Sequence, residues 1–166
     1  TVKPLLTVGG TLSGLAGSGL VLQNNGTDDL ALSANGTFTF ATPLLDGSNY
    51  SVTVLTQPSS PLQNCVVTKG SDLLSGANIS SVLVTCTTNN YLLTTATDGT
   101  GSGTLNLNPT GGTYSDGTVV TVTANASTGS TFTDWSGACS GTGSCVVTMD
   151  AAKSVTATFT LNSYVL

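Results

Sequence analysis

The chain has 166 residues and a net charge of -5, carried by three Lys and eight Asp with no Arg, Glu or His. The side chains that accept protons near neutrality, clamp phosphates or ligate most transition metals are therefore scarce, so no catalytic residue is assigned and no cofactor is expected. Lys3, Lys69 and Lys153 are too scattered to neutralise a row of phosphates, and no apolar run reaches the roughly 20 residues of a membrane-spanning helix. Nucleic acid and membrane insertion are accordingly not expected.

Thr, Ser, Gly, Asn, Val and Leu dominate, which suits strands with polar outer faces, and an all-β fold is expected. The chain opens at Thr1 without Met, a basic region or an apolar leader, as a processed or excised polypeptide does. Residues 1–7 form an N-terminal segment whose apolar side chains, Val2, Leu5 and Leu6, together with Val8, suggest a strand for exchange with a neighbouring copy. The C-terminal tail, residues 161–166, ends in Tyr164, Val165 and Leu166 and is read in the same way.

Between residues 8 and 86, seven short alternating segments are predicted as strands: Thr7 to Leu12, Gly19 to Gln23, Leu30 to Ser33, Gly36 to Phe40, Tyr50 to Thr56, Cys65 to Thr68 and Val82 to Cys86. Asn25-Gly26, Asn35-Gly36 and Asp46-Gly47 supply turns that tolerate positive φ. A period of two turns Leu20, Leu22, Phe38, Phe40, Tyr50, Val52, Val54, Val82 and Val84 inward, as in an immunoglobulin-like or transthyretin-like sandwich. The motifs Val8-Gly9-Gly10-Thr11-Leu12-Ser13-Gly14-Leu15, Gly19-Leu20-Val21-Leu22-Gln23-Asn24-Asn25-Gly26 and Asn35-Gly36-Thr37-Phe38-Thr39-Phe40 resemble the bacterial carboxypeptidase-regulatory or prealbumin-like sandwich. That resemblance implies a spacer or accessory domain of a surface or secreted protein.

Residues 87–90, Thr-Thr-Asn-Asn, are read as a linker. Strands follow at Tyr91 to Thr97, Gly103 to Asn108, Val119 to Ala124, Thr131 to Trp135, Val146 to Met149 and Ser154 to Thr160, with Val155, Ala157 and Phe159 turned inward. The ordered motifs Gly112-Thr113-Tyr114-Ser115-Asp116-Gly117-Thr118-Val119-Val120-Thr121-Val122, Phe132-Thr133-Asp134-Trp135-Ser136-Gly137 and the run Met149 to Phe159 are similar to the divergent internalin-type B-repeat across residues 91–160. Asp134 stands where many members have Gly. The resemblance implies a compact, β-grasp-like repeat used in strings on bacterial surface proteins.

The four cysteines allow three pairings, and their distribution between the halves favours Cys65 with Cys86 and Cys139 with Cys145. The spacings lack the short C-x-x-C knuckles of a zinc site, so disulfides and an oxidising, extracellular or cell-surface location are expected. Each half is small enough for such a staple to matter, at about 3 kcal/mol for the longer loop and about 2 for the shorter.

Asp28 and Asp29, beside Asn24 and Asn25, are the one candidate for hard-oxygen Ca²⁺ ligation, against the simpler reading of a solvated hairpin tip; no metal is assigned. Trp135 is read as core, although an exposed indole would give a glycan a stacking platform. Two function classes remain: a non-catalytic building block of an extracellular assembly, its partners copies of itself or neighbouring modules and its contact a head-to-tail strand addition that builds a filament; or an accessory module binding a glycan or host protein.

Overall fold

The computed structural model describes residues 2–163, and among them there is no helix. The chain divides into two compact units between Asn89 and Asn90, as expected of tandem small β domains. The strands of the first unit are β1 (Leu5–Leu6), β2 (Val8–Ser13), β3 (Leu20–Asn24), β4 (Asp28–Leu32), β5 (Gly36–Thr39), β6 (Leu44–Leu45), β7 (Asn49–Thr56), β8 (Gln63–Thr68), β9 (Ser71–Leu73) and β10 (Ile79–Thr88). Two four-stranded sheets, β5-β2-β10-β8 and β4-β3-β7-β9, are joined by the short pair β1-β6.

Alternation dictates which face each strand buries. Along β10, Val82, Val84 and Cys86 are buried while Leu83, Thr85 and Thr87 face out. They share a core with Leu20 and Leu22 of β3, Phe38 of β5 and Tyr50 and Val52 of β7. Of the expected inward set Val54 alone is half-buried. The Asn25-Gly26 turn forms as its chemistry requires, with φ of 51° and 71° between β3 and β4. Gly10 answers a different demand. β2 and β10 run parallel with Gly10 opposite Val82, and a Cβ on Gly10 would run into the Val82 carbonyl, so the backbones meet this closely because no side chain intervenes.

The second unit contains β11 (Asn90–Asp98), β12 (Gly103–Asn108), β13 (Thr113–Ser115), β14 (Val119–Ala126), β15 (Ser130–Gly137), β16 (Cys145–Thr148) and β17 (Lys153–Leu161). A mixed sheet, β13-β11-β17-β15, faces the three-stranded sheet β12-β14-β16. Val155, Ala157 and Phe159 of β17 are fully buried, as the alternation predicts, against Val120 and Val122 of β14 and Val147 of β16. Phe132, Trp135 and Phe159 cluster with ring centroids 4.8 and 5.9 Å apart, adding aromatic packing to the burial.

Both units place their first long strand parallel to their last in the middle of a mixed sheet: β2 beside β10, and β11 beside β17. Residues 87–90 differ from the expected linker, because Thr87 and Thr88 close β10 and Asn90 opens β11. Polar side chains mark the exposed face of an edge-to-edge strand as readily as a loop, which is why composition alone misreads them. Asp134 lies in β15, within the strand expected from Thr131 to Trp135 and at a bulge between Phe132 and Asp134.

Candidate functional site

Both expected disulfides form. Cys65 of β8 lies directly opposite Cys86 of β10 in the antiparallel register, and Cys139 and Cys145 close the loop from β15 into β16. All four thiols are thereby consumed.

The side chains expected to carry chemistry are otherwise engaged in structure. Asp28 Oδ2 accepts from the Thr42 N–H at 3.1 Å and Asp29 Oδ1 from Gln23 Nε2 at 2.7 Å. Asn24 is buried and its Oδ1 accepts from the Ser51 N–H, while Asn25 donates to the Asn49 carbonyl. An oxygen each of Asp28, Asp29 and Asn24 thus accepts from a separate backbone or amide donor while Asn25 is engaged through its Nδ2, and no group of three or more metal-ligating His, Cys, Asp or Glu side chains occurs among the described residues. Trp135 is 3% exposed and donates from Nε1 to the Gly143 carbonyl at 2.9 Å, so its face is spent on the core and offers a sugar no platform.

The proposed assembly residues separate into two groups. Val8 is fully buried and Leu6 is nearly so, both in the core of their own unit, and Leu5-Leu6 pairs with Leu44-Leu45 of the same chain. The apolar side chains of Leu6 and Val8 are thus covered by their own unit and do not lie open to a neighbouring copy. Val2 and Leu5 are exposed. Tyr164, Val165 and Leu166 lie outside the described residues.

Tyr50 and Asp150 are electrostatically perturbed. Burial, followed by the nearby Asp72 carboxylate, raises the Tyr50 phenol above its ordinary value of 10.0. A hydrogen bond from Lys153, 2.8 Å away, lowers Asp150 below its usual range, and Lys153 also donates to the Thr148 carbonyl. Tyr50 stands opposite Asp72 in the β7-β9 pair, and Asp150 pairs with Lys153.

Amides hold positions that sequence reasoning missed. Gln63 is 4% exposed, accepts at Oε1 from the N–H groups of Ala16 and Gly17, and donates from Nε2 to the Gly14 carbonyl and the Thr88 hydroxyl. Gln57 clamps Cys65 by accepting from its N–H at 2.7 Å and donating to its carbonyl at 3.0 Å. Asn35 does the same to Leu15. The available signal was compositional: a chain without Arg or Glu must satisfy buried main-chain groups with neutral amides.

The second unit, with its parallel central pair, its Trp in the core and its closing strand of strict alternation, carries the motifs of one family in their order. Residues 91–163 match the model of the divergent InlB B-repeat domain. No curated protein matches the chain. The B-repeat match begins one residue inside β11 and ends beyond β17, so it spans both sheets of the second unit and both cysteines of its disulfide. No helix among the described residues is long and apolar enough to cross a membrane.

Proposed function

We propose that the chain is a non-catalytic structural and adhesive building block of a bacterial extracellular surface assembly. The observation that carries this reading is the B-repeat match over residues 91–163, joined to a second disulfide-stapled β unit in the same chain. The two-sheet build of residues 8–86 and its opening Gly-Gly strand support a prealbumin-like spacer in front of the B-repeat. Disulfides in both units suit an oxidising, extracellular location. Partners on this reading are copies of the chain or neighbouring modules of the same protein. Leu6 and Val8 lie in the core of their own unit, so a head-to-tail filament would either exchange β1 and β2 between copies or connect through another strand.

Immunogold labelling of intact producing cells, combined with protease shaving, tests the location. Surface label that is released by protease is expected. Label confined to the cell interior overturns the proposal. Retention of the protein on immobilised glycans, with no copy-to-copy association, would instead support an accessory binding module.

A further inference from the structure

A sheet edge is a row of main-chain donors and acceptors, and proteins that remain single copies blunt such edges. The outer strands of both units can be compared on that ground. β8 is capped where Gln57 bonds both main-chain groups of Cys65. β4 carries Asp28 and Asp29, and β9 has three residues including Asp72. β13 has three residues, while β5 and β16 have four each. β15 is bent by its bulge, carries Asp134 and is covered where the Trp135 N–H donates to the Gly141 carbonyl. β12 has none of these devices: it runs six residues, Gly103–Asn108, in unbroken register with β14, without charge or proline.

The Ser127 N–H donates to the Ser102 carbonyl, which sets the parity of the β12-β14 ladder. Thr104, Asn106 and Asn108 therefore turn their main-chain groups toward β14, and Gly103, Leu105 and Leu107 turn theirs outward. Leu105 and Leu107 are half-buried under the sheet and border an open groove completed by Thr110 and Gly111. An occupant must be extended, uncharged, apolar on its core side, polar on its outer side and open along its own edge. Among the described strands, β12 itself meets all of these conditions.

We propose that β12 is a self-association edge, pairing antiparallel with β12 of a second copy about a two-fold axis centred on Leu105. This deepens the building-block reading and rests on it. In this register Leu105 faces its counterpart, Gly103 faces Leu107 of the second copy, and Thr104 faces Asn106. The outward groups then exchange roughly six main-chain hydrogen bonds. A large side chain meets a small one at Gly103, where the Phe159 ring already occupies the space a Cβ would need. The joined three-stranded sheets become one six-stranded sheet. One strand pair covers little area, so the association is weak, with Kd on the order of 0.1 mM, and gains from copies held close together on a surface.

Thr104 and Asn106 are exposed on the solvent face, so charge can be placed there without entering the core. Sedimentation of the full disulfide-intact chain up to millimolar concentration should show a monomer-dimer equilibrium. T104K/N106K and T104D/N106D, each setting like charges opposite one another, should each weaken self-association by about tenfold or more, and an equimolar mixture of the two should restore a dimer. Circular dichroism and an unchanged melting curve show that each variant is folded; should either fail to fold, the single variants T104K and N106D carry the test. The lysine introduced by T104K then faces the aspartate introduced by N106D in the second copy, so their mixture should associate more tightly than either alone, equal association overturning the proposal. A wild-type chain that stays monomeric overturns the proposal. Dimers that form equally well in the Lys variant also overturn it, while leaving the building-block function to another surface.

Discussion

Gln63 satisfies two N–H groups, one carbonyl and one hydroxyl from a single buried amide. Replacing it with Leu keeps the volume but strands the Ala16, Gly17 and Gly14 main-chain groups, so Gln63→Leu should cost about 2–4 kcal/mol in urea denaturation. The Gln57 clamp binds one residue of an edge strand and should cost less on removal, about 1 kcal/mol for Gln57→Ala by the same measurement. Titration follows from two residues. The folded pKa of Tyr50 is raised, so its contribution is complete below pH 10 and is lost as the pH rises above it, where the unfolded chain ionises first. The folded pKa of Asp150 is lowered, so its contribution holds above the ordinary carboxylate range and disappears as the pH falls through it. Between those limits there is no His or Glu to titrate, and a melting temperature flat from pH 5 to 9 is expected by calorimetry.

At the level of the strand, the disulfides and the glycines set what can change. Cys65→Ser/Cys86→Ser releases the register of β8 on β10 and should cost about 3 kcal/mol, read as a lower denaturation midpoint of the first unit alone. Gly10→Ala forces β2 away from the Val82 carbonyl and should cost about 2–4 kcal/mol in the same assay, as backbone strain inside a packed sheet does. The long strands were legible in the sequence because six or more residues display a period of two, as in Val155, Ala157 and Phe159. β1, β6, β9 and β13 were not, since two or three residues cannot establish a period and their pairing depends on distant partners such as Leu45 for Leu5. The amide clamps were hidden for a related reason: Gln57 sits in the connection before β8 and Gln63 at the first residue of that strand, and their role appears once Cys65 and Gly14 are brought beside them. The burial of Leu6 and Val8 was not legible, because apolar side chains near a chain end have the same sequence signature whether they meet a neighbour or their own core.

For the molecule as a whole, the division between Asn89 and Asn90 coincides with the division of cysteines, each unit closing its own disulfide and its own apolar cluster. Residues 1–89 and 90–166 expressed apart should therefore each unfold cooperatively, with midpoints matching two transitions of the intact chain; loss of structure in either piece would show that its core needs the other. Stability should also respond little to salt, because the chain carries only three Lys and eight Asp and the Lys153–Asp150 pair is exposed.

The parallel pairing of first and last strands fixes how each unit meets a pull along the chain. Tension enters β2 at Val8 and leaves β10 at Thr88, at opposite ends of two strands that point the same way. The ladder is then loaded along its length, with its hydrogen bonds resisting together in shear instead of unzipping singly, and the same holds for β11 against β17. Stretching one molecule by its ends should meet high rupture forces, whereas pulling apart the antiparallel β15-β17 pair across its strands should peel it open at low force. A protein anchored at one end and tugged at the other would be built along its strongest axis.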